Sequence, residues 1–208
     1  FILGSTGAKL DDLNGLMNEH AFACNEFCDF FTRTPQRPEF YVLTESSSYL
    51  GNGKYIEGME CFIDGRIKVF EDKFKKKPTY FNGLGAGLIS GLPTFQQAES
   101  VFDTAKMFPM YAMIQLALYM GFSEIYLYGW DGLFPLDIDA DGAARKPAEG
   151  EAADFPSGAK ALLEQAKKYA ESNGSKLCSM CETKGLSMLE KVEFSSIDLS
   201  ASAIFGRI

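Results

Sequence analysis

The chain has 208 residues, enough for one large domain with a substantial core, and its 46% apolar and 23% charged residues are ordinary for a globular protein. A net charge of −8 argues against nucleic acid or anionic membrane as the main partner, and the longest apolar run, Phe108 to Met120, is broken by Gln115 and too short to span a bilayer. Five cysteines without regular spacing read as reduced thiols in a cytoplasmic setting.

Phe1-Ile2-Leu3 opens as a buried strand over 1–4. Gly4-Ser5-Thr6-Gly7 is then a loop before the helix pattern of Leu10, Leu13, Leu16 and Met17, a helix over 9–17. Strand, glycine-bearing turn and helix is how α/β folds offer free backbone N–H groups to a phosphate. The competing reading is a tight βα turn without a ligand, since neither GxGxxG nor GxxxxGK[ST] is present. The opening carries no signal-peptide pattern. Starting on a strand without methionine, it reads as the trimmed start of a longer protein.

Strands are expected at 20–24 and 39–44, and His20, the only histidine, falls between the first helix and the second strand. General acid–base work most often uses histidine, but this position suits a capping or partly buried structural role better. Asn25, closing a strand, is by its residue type a turn former. Thr44 to Lys54 is rich in hydroxyls and leans towards a crevice loop, because it follows a strand. A short helix near 54–62 and strands at 66–70 and 79–82 come next, then the glycine-rich connection Leu84 to Thr94.

The pattern predicts a helix over 103–120, whose Met107, Met110, Met113 and Met120 read as core filler. A strand over 124–128 ends on Gly129-Trp130-Asp131. Residues just past a parallel strand's carboxyl end line the ligand crevice. A carboxylate there, after a glycine that lets the backbone come close, suits a ribose hydroxyl, so Asp131 is the leading nucleotide contact. A polar insertion follows at about 132–156. Within it Asp137, Asp139, Asp141 and Gly142 match the start of a calcium loop, but position 12 is Ala148, which favours a solvated acidic loop. A helix over 157–173, a strand over 176–180 and a helix over 185–190 finish the chain. Cys178 and Cys181 form a lone C-x-x-C that reads as packed thiols. This alternation predicts an α/β fold: one Rossmann-like domain over 1–208, with a mostly parallel sheet and helices on both faces.

ALYMGFSEIYLYGWD (117–131) resembles the signature of the domain named after archaeal 6-hydroxymethylpterin diphosphokinase, which also occurs in bacterial motility-accessory and surface-polysaccharide proteins. FILGSTGAKLDDL (1–13) and FACNEF (22–27) resemble that domain's start, and AKKYAESNGSKLCSMCETKGLSMLEKVEF (166–194) its ending. The start and the GWD region also resemble Campylobacter-type bacterial sialyltransferases. That resemblance implies that Gly4 and Gly7, with Ser5 and Thr6 between them, lie near a nucleotide's phosphate and ribose. It likewise implies that Asn25 contacts the nucleotide sugar and that Gly129 and Asp131 contact the nucleoside. The chain departs from the sialyltransferases in three respects: Ser5 or Thr6 replaces the asparagine of the family's loop, 132–140 holds no tyrosine, and no histidine stands just before the helix at 157 to act as base. A catalytic base would then be a carboxylate, with Glu45 the candidate because it follows a strand end.

The resemblances imply a transferase, foremost a nucleotide-sugar glycosyltransferase of surface-glycan synthesis, with a nucleotide or nucleotide sugar as ligand and a glycan as acceptor. The alternatives are pyrophosphate transfer from ATP to a pterin and a non-catalytic nucleotide-binding or interaction module. Any cation would be Mg²⁺ or Ca²⁺, with Asp131 and the acids at 137, 139 and 141 as candidate ligands. The oligomeric state is open.

Overall fold

The computed structural model of the protein describes residues 1–4, 8–43, 59–64, 79–81, 108–130, 157–181 and 183–199. Its strands are β1 (Ile2–Leu3), β2 (Phe22–Cys24), β3 (Phe40–Leu43), β4 (Glu60–Asp64), β5 (Thr79–Phe81), β6 (Glu124–Tyr128), β7 (Lys176–Ser179) and β8 (Glu190–Lys191). They form one sheet in the order β5-β4-β3-β2-β1-β6-β7-β8. Every pairing is parallel, from Phe62 opposite Thr79 at one side to Cys178 opposite Glu190 at the other. The Rossmann-like α/β architecture expected from the alternation is therefore present.

Runs such as FIL, FAC and FYVL contain no polar residue to turn towards water, which suits strands covered on both faces. The pleat then sends alternate residues to opposite cores. Ile2, Phe22, Phe40, Val42, Ile125 and Leu127 enter one core, with helices α2 (Phe108–Tyr119) and α3 (Ser157–Ser172) over them. Leu3, Ala23, Tyr41, Leu43 and Tyr128 enter the other, under α1 (Leu10–Gly15) and a 3₁₀ helix over Asn25–Thr32. A one-residue slip in β1 would exchange Ile2 and Leu3 between the two layers, so the register is firmly set.

Helix α2 is buried nearly all round. Met110 and Met113 are fully buried, whereas Met120, just past the helix end, is exposed, which corrects its reading as core filler; Met107 lies outside the described residues. The helix closes in a Schellman turn, with Gly121 N–H donating to Leu118 O and Phe122 N–H to Ala117 O, and Gly121 takes a φ of 83°. The same two bonds, Gly174 N–H to Glu171 O and Ser175 N–H to Ala170 O, end α3. Each turn delivers the chain directly into the next parallel strand.

The sheet corrects two expectations. The short helix near 54–62 is contradicted over 60–62, where the chain is already in β4 and pairs Phe40 with Glu60 through Leu43 with Ile63; 54–58 lie outside the described residues. Cys61 and Phe62 pack on opposite faces, a period of two that is realised only against a neighbouring strand. The helix over 185–190 is a 3₁₀ turn, Lys184–Leu186, followed by β8. Gly185 weakens a helix there, and the open edge of β7 recruits Glu190 and Lys191 instead. Strand 66–70 lies outside the described residues. No helix among the described residues is long and apolar enough to cross a membrane.

Burial raises the Tyr41 and Tyr111 phenols well above their ordinary range. Tyr126 is pushed up to about 12, by burial first and then by its hydrogen bond to Glu124. An acid whose folded pKa is raised stays protonated in the fold after the unfolded chain has begun to lose its proton. The unfolded state then binds fewer protons, and stability falls with rising pH. The window opens near pH 10, the unfolded tyrosine value, and for Tyr126 closes near 12. Denaturant melts at pH 9, 10 and 11 should give progressively lower midpoints. A midpoint that does not move from pH 9 to 11 would contradict this.

Candidate functional site

The chain runs outward from β1 through β2, β3, β4 and β5, then returns to the other side of β1 as β6 and continues to β7 and β8. The direction of travel across the sheet reverses between β1 and β6. Connections leaving two neighbouring strands towards opposite sides open a crevice between them, and in open α/β sheets ligands bind there, outside the carboxyl ends. Leu3 is opposite Tyr128, so Gly4 and Gly129 are the first residues beyond that edge.

The two glycines are pressed together. Gly4 N–H donates to Tyr128 O at 2.7 Å. A Cβ on Gly4 would lie 2.5 Å from the Gly129 carbonyl oxygen and 2.7 Å from the Trp130 ring. Gly129 has a φ of 77°, and a Cβ there would overlap the Gly4 carbonyl and sit 3.0 Å from Ala8 Cβ. Glycine is required at both positions, by close approach and, at Gly129, by the left-handed backbone as well.

Asn25 begins one residue beyond β2, on the strand next to β1 and at the same edge. It is 4% exposed and has a φ of 41°, the only positive value among the described non-glycine residues. Tyr41 explains how this conformation is held. The phenol donates to Asn25 O at 2.5 Å and accepts the Cys28 N–H at 3.0 Å, so one buried hydroxyl closes the first turn of the 3₁₀ helix. Sparsely populated backbone states such as this persist only where the surroundings over-determine them, and they cluster at ligand sites.

Tyr128, the last residue of β6, ties α1 to the same edge. Its hydroxyl accepts Lys9 N–H at 2.9 Å and donates to Asp12 Oδ2 at 2.6 Å. Asp11 and Asp12 lie in the first turn of α1, so the positive end of that short helix already faces carboxylates. Any phosphate at this edge would have to be held by loop amides rather than by α1.

A third set of contacts joins the end of β7 to the ends of β6 and β1. Cys181 Sγ donates to Leu127 O and accepts Trp130 N–H, each at 3.3 Å, while Trp130 Nε1–H donates to Ile2 O at 3.0 Å. The C-x-x-C is not a disulfide. Cys178 and Cys181 are buried, reduced thiols, as packed cysteines should be, and burial, reinforced by Glu190, pushes the Cys178 thiol up.

The structure thus brings Gly4, Asn25 and Gly129 to one edge of the sheet. Ser5, Thr6, Gly7, Glu45, Asp131, Asp137, Asp139 and Asp141 lie outside the described residues, as do the hydroxyl-rich loop 44–54 and the glycine-rich loop 84–94. Among the described residues no three His, Cys, Asp or Glu side chains are grouped so as to hold a metal. His20 is at the opposite, amino-terminal edge. Its Nδ1 lies 2.5 Å from Glu39 Oε2, both side chains are more than half exposed, and its ring meets Phe122 edge-on. This exposed pairing differs from the capping or partly buried role expected of it, because Glu39, just ahead of the neighbouring strand β3, holds the ring at the sheet's solvent edge.

Sequence reading assigned Tyr41, Tyr128, Trp130 and Cys181 no part in this edge. Trp130 carried a signal as the middle residue of GWD, and Cys181 one as half of the C-x-x-C, read as a packed thiol. No family model matches the chain, and no curated protein or solved structure matches it.

Proposed function

We propose that the chain is a nucleotide-dependent transferase that holds an activated nucleotide, foremost a nucleotide sugar, at the carboxyl edge of β1 and β6. The observation that carries this reading is the reversal of strand order between those two strands, with Gly4 and Gly129 in backbone contact at its mouth. Such a mouth lets peptide N–H groups approach a phosphate without side chains in the way, which suits a ligand bound by a chain of net charge −8. The strained Asn25 on the adjacent strand supports a polar contact to the sugar side of the ligand, and Asp131, following Trp130, a contact to the ribose. The reaction would be glycosyl transfer in surface-glycan synthesis, with the phosphate held by the Gly4–Gly7 amides, by hydroxyls of 44–48, by Lys9 or by a bound cation.

The test is a thermal-shift panel of CMP, UDP, GDP and ATP, each with and without Mg²⁺. A ligand present at 100 times its Kd and bound only by the folded state adds about 2.7 kcal/mol of stability. A shift with CMP or UDP supports the nucleotide-sugar reading, and a shift with ATP and Mg²⁺ alone moves it to pyrophosphate transfer. No shift with any of the four favours a non-catalytic module on the same fold. For whichever nucleotide binds, Asp131→Asn should weaken affinity by about 1–3 kcal/mol, the usual cost of compromising a hydrogen bond to a charged group. Unchanged affinity measured by calorimetry would remove Asp131 from the site.

A further inference from the structure

We propose that Cys181 and Trp130 are positioning residues of this crevice, a thiol–indole lock that holds the carboxyl end of β6 against β1 and β7. The crevice role rests on the reading of the β1–β6 edge as the nucleotide site; the lock itself rests on geometry alone.

Five hydrogen bonds build it, around the ends of three strands. Ser179 Oγ, buried at the end of β7, accepts Cys181 N–H at 3.2 Å and turns the chain back towards β6. The Cys181 thiol then takes two polar partners at the end of β6, giving its proton to Leu127 O and accepting Trp130 N–H. Leu127 O also accepts Met180 N–H at 2.9 Å, so β7 grips that carbonyl twice. Trp130, its backbone fixed from β7, reaches the other way, and its indole N–H is bound by Ile2 O of β1. The ring fills the space over Gly4 that any larger residue there would need.

The arrangement does more than fill a core. A leucine at 181 would pack as well but could not receive the Trp130 N–H. That N–H is the last backbone donor before Asp131, so whatever fixes it fixes the point from which the next residue departs. Site residues must be held to about half an ångström to be productive, and bonds to neighbouring side chains are how proteins achieve this. Sulfur is a weak hydrogen-bonding partner, so the lock acts through the cooperation of its members rather than through one strong bond.

Trp130 is the only tryptophan of the chain, which makes its fluorescence a direct report on the lock. The experiment compares wild type, Cys181→Ala and Cys181→Ser, each confirmed folded by far-ultraviolet circular dichroism. It reads Trp130 emission, acrylamide quenching and affinity for whichever of CMP, UDP, GDP or ATP gives the largest thermal shift. In Cys181→Ala the emission should move to the red, quenching should rise, and affinity should fall about tenfold, the effect of leaving one part-buried N–H unpaired. Cys181→Ser, whose hydroxyl both donates and accepts, should restore all three.

Emission and quenching identical to wild type in Cys181→Ala would overturn the lock. Altered emission with unchanged affinity would overturn its role in the crevice. If wild type binds none of the four nucleotides, the nucleotide reading falls, while emission and quenching still decide the lock. Should Cys181→Ala not fold, Trp130→Phe carries the affinity measurement, since it keeps a ring over Gly4 and loses only the bond to Ile2. Wild-type affinity in Trp130→Phe would then reject the proposal.

Discussion

Gly129→Ala should destabilise the protein by about 2–5 kcal/mol, from roughly 1–2 kcal/mol for a left-handed L-residue and roughly 1–3 kcal/mol for overpacking. The added methyl would overlap the Gly4 carbonyl oxygen, which follows the central strand β1, and press on Ala8 ahead of α1. Gly121→Ala is the natural control. Gly121 has the same hand of backbone, φ 83°, but open space where a Cβ would go. It should therefore cost only the conformational part, about 1–2 kcal/mol. The difference between the two variants in urea denaturation isolates the close approach at the crevice mouth. Against a typical total of about 5–15 kcal/mol, Gly129→Ala should be among the most damaging single-methyl additions in the chain. Equal losses from the two variants would mean that the β1–β6 turns yield easily, and that the mouth is not a rigid feature.

How much of this was legible from the chain follows from where each constraint originates. FIL, FAC, FYVL and EIYLY are buried strands in sequence and in structure, because a strand covered on both faces needs little besides apolar residues. Gly121 and Gly174 stop their helices through local turn chemistry, which a sequence displays directly. ECFID misled because its helix-like surroundings say nothing of the neighbour that claims it: β3 pairs with it across residues 40–43 and imposes a period of two. The order β5-β4-β3-β2-β1-β6-β7-β8 is likewise a property of the assembled sheet, and it is what turns Gly4 and Gly129 from two glycines 125 positions apart into one mouth.

The candidate site was legible only at strand ends. Gly4 and Gly129 each follow a strand, so position nominated them, whereas Asn25 read as a turn former and only the resemblance to sialyltransferases gave it a ligand contact. Tyr41 and Cys181 could not be found that way. Tyr41 lies inside a strand and reads as an ordinary aromatic core residue; its importance comes from a hydroxyl that meets Asn25 and Cys28 across the layer. Cys181 was read as a packed thiol, which it is, yet its sulfur also closes a contact with a residue 51 positions earlier. Side chains whose work is to hold another residue's backbone have no spacing rule.

His20→Ala should leave turnover nearly intact, whereas Glu45→Gln should lower it by about 10²-fold or more, the share of a general base. The sheet supplies the reason. His20 precedes β2 and Asn25 follows it, so at roughly 3.3 Å per strand residue the imidazole stands about 16 Å from the crevice edge. A base must come within about 3 Å of the proton it takes, or reach it through one water. His20 is also held elsewhere, by Glu39 and by the rings of Phe40 and Phe122. Losing that exposed pair should cost no more than about 1 kcal/mol of stability. Glu45 lies two residues past β3, whose carboxyl end shares the crevice edge two strand positions from β1, about 10 Å away at ordinary strand spacing. On the proposed reading, a sugar extending from a phosphate at Gly4 would have to cover that distance, and the chain's single histidine is at the opposite edge. The measurement is transfer or hydrolysis of the nucleotide sugar matching the nucleotide that binds, at saturating donor, with both variants confirmed folded. A hundredfold loss in His20→Ala would move the chemistry to the amino-terminal edge and remove the crevice from the mechanism. A fully active Glu45→Gln would leave the crevice as a binding site and assign the base to another residue.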